Sequence, residues 1–174
     1  MGVELTIASG TESELTVFDI RGKYRWSQSS GDGLPPGTPR HIIVHHTVSP
    51  PPDWHVIEEV LALVRLREQG AYGVPYNFVI FPSGSIYYVN DIDGSWPHTA
   101  YYNQHTAAAI VGDYTHDIPP DNALQALFAL VRALRAMNPD QYSLPVRGHR
   151  QMPKNNTICP GDGIMQALKE AYGD

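Results

Sequence analysis

Short β-branched runs alternate along this chain with stretches whose apolar residues recur at helical spacing, and that succession restricts it to folds in which helices cover a sheet. Residues 42–47, I-I-V-H-H-T, have the composition of a buried strand, and Pro50, Pro51 and Pro52 break it. Asp53 is a suitable N-cap for a helix in which Val56, Ile57, Val60, Leu61 and Val64 recur at helical spacing, with Gly70 as its C-cap. Y-N-F-V-I-F-P and S-I-Y-Y-V-N-D, separated by Ser83-Gly84, predict a β-hairpin. T-A-A-A-I-V-G-D predicts another buried strand. A second helix follows Pro119-Pro120-Asp121, buries Leu124, Leu127, Phe128, Val131 and Leu134, and stops before Pro139. L-P-V-R-G-H reads as a short strand and residues 164–172 as a last helix. The order β-α-β-β-β-α-β-α predicts a single α/β domain over residues 40–174, a mixed central sheet flanked by helices. Residues 1–39, polar and rich in Gly, Ser and Pro, read as an N-terminal arm with one short strand at Glu14–Ile20.

With 174 residues the chain can bury one proper core. Its net charge of −6 gives no general attraction to nucleic acid or to an anionic membrane, so neither is expected as a partner. The first residues are acidic and lack a basic stretch followed by an apolar one, and no apolar run has the length of a membrane span. The expectation is a monomer made in a cytoplasm without a signal peptide. One cysteine excludes an intrachain disulfide, so packing must supply the stability.

That cysteine, Cys159, lies in T-I-C-P-G, ten positions after His149 of R-G-H-R. His45 and His46 adjoin at the end of the first core strand, where neighbouring side chains point to opposite faces, so only one can enter a given site. Thiolate and neutral imidazole are the ligands zinc prefers, and three protein ligands with one open position make a catalytic site. The H-x9-C spacing matches no standard zinc finger. A free cysteine also fills buried holes, and a Cys-His pair can be a nucleophile with its base. Composition and spacing leave all three open.

H-I-I-V-H-H-T, then Y-N-F-V-I with S-G-S-I-Y, H-T-A-Y-Y-N, G-H-R-Q and T-x-C-P-G follow the order found in zinc-dependent N-acetylmuramoyl-L-alanine amidases. From about residue 40 to 173 the chain resembles the type 2 amidase family, which includes phage endolysins and peptidoglycan recognition proteins. The resemblance implies zinc in a surface cleft, one ion per chain, with His45, His149 and Cys159 as ligands. It implies that Tyr76 lies beside the water that zinc activates, and that His98 and Asn103 line the cleft for a muropeptide. Thr157 matches a position that holds threonine or lysine in the family. His46 would face away and hydrogen-bond within the fold.

Two departures bear on those roles. The segment from His149 to Cys159 is about two residues longer than the commonest family version, and its K-N-N brings Lys154 near the site as a substitute for the lysine found elsewhere at the Thr157 position. The stretch from His98 to Gly112 is about one residue short, which leaves the roles of His105 and Thr106 open. The activity implied is hydrolysis of the amide between N-acetylmuramic acid and L-alanine of peptidoglycan, as in a small phage endolysin. A tetrahedral oxyanion would be held by Tyr76 or Thr157, with Tyr76, His98 or Lys154 giving a proton to the leaving nitrogen. The tyrosines of S-I-Y-Y and A-Y-Y-N could wall the cleft. The competing readings are a muropeptide receptor without hydrolysis, and a cytosolic amidase recycling anhydro-muropeptides.

Overall fold

A computed structural model describes residues 3–8, 14–23, 33–35, 37–48, 59, 61–65 and 73–173. Its strands are β1 (Val3–Ala8), β2 (Glu14–Asp19), β3 (Ile42–His46), β4 (Phe78–Ile80), β5 (Ile86–Tyr88), β6 (Thr106–Ile110) and β7 (Val146–Gly148). They form one sheet in the order β1-β2-β5-β4-β6-β3-β7. The predicted hairpin is the antiparallel pair β4 and β5, while β3 runs parallel to both β6 and β7. The segment read as an arm contributes two strands rather than one: β1 pairs antiparallel with β2, which continues the sheet alongside β5. V-E-L-T-I alternates apolar and polar residues strictly, so β1 carries a local strand signal of its own, which pairing with β2 completes.

The predicted second helix is α1, Asp121–Met137, and the last is α2, Asp162–Tyr172, which starts two residues earlier than the apolar pattern suggested. Asp121 in the first turn of α1 and Arg135 in its last complement the helix dipole. Of the helix expected after the proline run, residues 61–65 are helical, with Leu61 of the apolar stripe exposed and Ala62 and Leu63 buried in its place; Asp53, Val56, Ile57, Val60 and Gly70 lie outside the described residues. No helix among the described residues is long and apolar enough to cross a membrane.

Every residue of β3 and β6 is buried, as strands covered on both faces must be. One face carries Ile42, Val44, Ile80 and Ile110 against Leu127 and Leu130 of α1 and Ile164 of α2. The other carries Val79, Phe81 and Val111 against Ala62 and Leu63 of the helical stretch. Pleat alternation therefore sends His46, in phase with Ile42 and Val44, toward α1 and α2. His45, in phase with Ile43, is sent to the opposite face. Both are almost fully buried, at 1% and 2% exposure for His45 and His46.

Candidate metal centre

The sheet register builds most of the site. β3 and β7 are adjacent and parallel, with Ile43 opposite Arg147 and Val44 opposite Gly148. One step further, His45 and His149 stand side by side where the two strands end, their ring centroids 4.6 Å apart. His149 opens a single 3-10 turn to Gln151, and the chain then loops out and returns. The return is held where Arg150 N–H donates to the Cys159 carbonyl at 2.8 Å and Cys159 N–H to Thr157 Oγ1 at 3.1 Å. Gly161, with φ of +91°, then lets the chain enter α2 against the backbone of Tyr114. A Cβ at that glycine would lie 1.9 Å from the Tyr114 carbonyl oxygen. Cys159 Sγ comes to 3.6 Å from His45 Nδ1, and the donor atoms of His45, His149 and Cys159 all lie within 4.8 Å of one another.

Hydrogen bonding decides which ring nitrogens are free. His98 Nε2 lies 3.2 Å from the His105 carbonyl, which can only accept, so His98 carries its proton there. Its Nδ1 then accepts from His45 Nε2 at 3.0 Å. The lone pair of His45 is left on Nδ1, the atom facing the cysteine. Burial and neighbouring imidazoles hold His45 neutral, well below the usual histidine range, and burial brings His98 down to about 3. His149 is lowered too, by burial. Neutral imidazole is the form that ligates a metal, so the donor chemistry of two imidazoles and one thiol fits zinc. The thiol is pushed up to about 11 by burial, and must lose its proton to serve as a ligand.

Tyr76 packs beside His45 with ring centroids 5.2 Å apart. Burial, reinforced by the negative charge of Cys159 once ionised, raises its phenol, so it stays a proton-bearing donor at neutral pH. Its backbone is pinned by two asparagines that sequence reasoning did not single out. Asn90 Nδ2 donates to the carbonyls of Val74 and Tyr76, each at 2.7 Å. Asn77 donates to the carbonyls of Asn90 and Asp91, and its Oδ1 accepts from Ala107 N–H at 2.8 Å. The signal was present: Asn77 is a polar residue inside the apolar run Y-N-F-V-I, where only a satisfied amide can be buried.

The other expected site residues are placed as follows. His98 is buried within the cluster, with both ring nitrogens engaged. Asn103 is half-buried, and its Oδ1 accepts from Thr99 N–H at 3.0 Å. Thr157 is half-buried and shapes the cysteine turn. Lys154 is exposed and has a left-handed backbone, φ +63°; its ammonium sits 5.5 Å above the Tyr101 ring. The extra residue that touches the cluster is its neighbour Asn155, whose Oδ1 is 3.0 Å from His149 Nε2. His105 takes part through its carbonyl, while Thr106 is buried against the Tyr142 hydroxyl. His46 Nδ1 accepts from Tyr114 N–H at 3.0 Å, on the other face of the sheet.

A profile of the N-acetylmuramoyl-L-alanine amidase family matches residues 35–162, which span the sheet from before β3 through the cysteine turn. The chain belongs to this amidase family. Among curated relatives, a peptidoglycan-recognition protein of Drosophila simulans is 33% identical over 138 residues, covering 75% of this chain and 73% of the relative. Among solved structures, Drosophila PGRP-LB superposes with a TM-score of 0.73 at 19% identity, over 91% of this chain and 96% of the other. The N-acetylmuramoyl-L-alanine amidase LysC from Clostridium intestinale gives 0.61 at 22% identity, over 88% and 95%. A PGRP-LB mutant in complex with tracheal cytotoxin gives 0.72 at 20% identity, over 87% and 92%. At these identities the structures establish a shared fold, which the amidase-family sheet with its covering helices expresses in this chain.

Proposed function

We propose that this chain is a zinc-dependent N-acetylmuramoyl-L-alanine amidase that hydrolyses the amide joining N-acetylmuramic acid to L-alanine in peptidoglycan. The observation that carries the reading is the convergence of His45, His149 and Cys159, with their donor atoms within 4.8 Å of one another. Those three residues would hold one zinc. Bound there, zinc supplies an activated water and polarises the amide carbonyl. His98 orients His45 by accepting its Nε2–H, and is itself held by the His105 carbonyl. With both nitrogens engaged and its imidazole neutral, His98 supports the ligand instead of supplying a proton to the substrate. Tyr76, partly buried and protonated, would donate a hydrogen bond to the carbonyl oxygen as charge develops, and the proton released by the attacking water would end on the departing alanine nitrogen. Thr157 keeps the cysteine turn in shape and retains a hydroxyl proton as a second donor. Lys154, on the exposed rim, is assigned to the leaving group or the peptide beside it, and Asn103 offers its amide N–H groups to the muropeptide.

Tracheal cytotoxin bound to a structural neighbour supports a muropeptide as the ligand class, and a second neighbour described as an endolysine amidase supports intact wall as the target. The test is incubation of zinc-loaded protein with intact sacculi and, separately, with soluble anhydro-muropeptides, followed by mass identification of products. Release of peptides beginning with a free L-alanine amine is expected. Binding without cleavage by fully loaded protein would replace the enzyme with a receptor. Cleavage of soluble muropeptides alone would indicate recycling in place of lysis.

A further inference from the structure

Asn155 makes contacts that fix the chemistry of its neighbour. Its Oδ1 lies 3.0 Å from the backbone nitrogen of Ala100 and 3.0 Å from His149 Nε2. A backbone N–H can only donate, so the atom facing Ala100 is the amide oxygen. The other end of the amide agrees, since Nδ2 donates to the Pro153 carbonyl at 3.2 Å. An amide oxygen only accepts, so the facing nitrogen of His149 must carry the proton. The lone pair of a neutral His149 is thereby confined to Nδ1.

The Ala100 contact gives the arrangement reach. The same short loop carries His98, which takes the Nε2–H of His45. It is closed on itself where Thr99 N–H donates to Asn103 Oδ1 and Tyr102 N–H to Thr99 Oγ1. His105, at its end, holds His98 through its carbonyl. The supports of both histidines thus meet on residues 98–105, one directly and the other through Asn155.

We propose that Asn155 is a positioning residue for the metal centre: it locks His149 in the Nε2–H tautomer and ties that ring to the 98–105 loop. The proposal rests on the zinc reading of the site. It predicts that the acceptor oxygen matters, not the bulk of the side chain. Asn155→Ala should weaken zinc binding about 10- to 100-fold, the usual cost of removing the partner of a ligating histidine. Asn155→Asp keeps an acceptor oxygen and should restore wild-type affinity or better.

Two readouts decide it. Zinc affinity is measured by competition with a chromogenic chelator on the purified full chain. The tautomer of His149 is read by long-range proton–nitrogen NMR on the metal-free protein. Expected are an Nε2–H signature in wild type and Asn155→Asp, and a mixture of tautomers in Asn155→Ala, with both variants folded by circular dichroism. Unchanged affinity and tautomer in Asn155→Ala would overturn the assignment, as would an equal loss in the alanine and aspartate variants. If wild type bound no zinc, the metal reading would fall by itself. The metal-free NMR comparison would then still decide the role of Asn155, and a misfolded alanine variant would leave the aspartate comparison to do so.

Discussion

His45 and His46 are sequence neighbours and equally buried, yet the pleat of β3 delivers them into two different interiors. On the His46 side, Ile42, Val44 and Tyr114 pack against α1 and α2, and the imidazole has one hydrogen bond, from the Tyr114 backbone. On the His45 side three other chemically active residues converge: His149 from the adjacent strand end, Cys159 from the returning loop, and Tyr76 from the entry to β4. Burial therefore does not single out a candidate ligand. What distinguishes His45 is that a parallel neighbour ends beside it and a later loop turns back over the same point.

The comparison is broken most directly at the proposed ligands. His45→Ala and Cys159→Ser are expected to lose zinc and to lower amidase activity at least about 1,000-fold, with the fold retained, because a three-ligand site cannot spare a ligand. Elemental analysis beside a turnover assay checks this. Loss of metal from His46→Ala instead would mean that the strand register is off by one.

A smaller effect should come from Tyr76→Phe, which removes the donor and keeps the ring. Turnover should fall about 100-fold with zinc content unchanged, the usual scale for losing one donor to a developing oxyanion. Unaltered turnover at full zinc occupancy would remove Tyr76 from the chemistry.

The helical face should respond in stability and not in metal. Leu130, fully buried against the sheet, is expected to cost about 2–5 kcal/mol when cut to alanine. His46→Ala should cost about 1–3 kcal/mol, because the Tyr114 N–H loses its buried acceptor. Denaturant unfolding with parallel zinc titration separates the two faces. A large shift in zinc affinity in either variant would show that they are coupled.

The finest effect is a proton count. Without metal the Cys159 thiol, pushed up to about 11, is protonated at neutral pH, and both histidines are neutral. Zinc requires the thiolate, so binding should release about one proton. Affinity should then rise about tenfold per pH unit between roughly pH 7 and 9, and stop rising above the thiol pKa. Calorimetry in buffers of differing ionisation enthalpy counts that proton. A count near zero would mean that the thiol is already ionised in the metal-free protein.

Local pattern carried much of this protein into view. The β-branched run at Ile42, the hairpin around Ser83-Gly84, the spacing of Leu127, Val131 and Leu134, and the Pro-Gly turn after Cys159 are short-range signals, each set by a few neighbouring residues. The motif order around His45, His149 and Cys159 named the candidate ligands; strand alternation put His45 and His46 on opposite faces, and the family resemblance chose between them. Other features were out of reach because their causes are contacts between distant residues. β1 differs from these, for V-E-L-T-I alternates strictly and pairs with the next strand, so its signal was local and lay in the sequence. The motif gives His98 a place in the cleft, but its hydrogen-bond partners, 53 positions earlier and seven later, are set by the fold alone. The added K-N-N points to Lys154 as a stand-in for the family's lysine, whereas Asn155 reaches His149 because Ala100, 55 residues away, fixes which end of its amide faces the ring. Tautomers and donor directions follow from such three-dimensional pairings, since one imidazole or amide offers the same atoms in every sequence context until a partner selects among them.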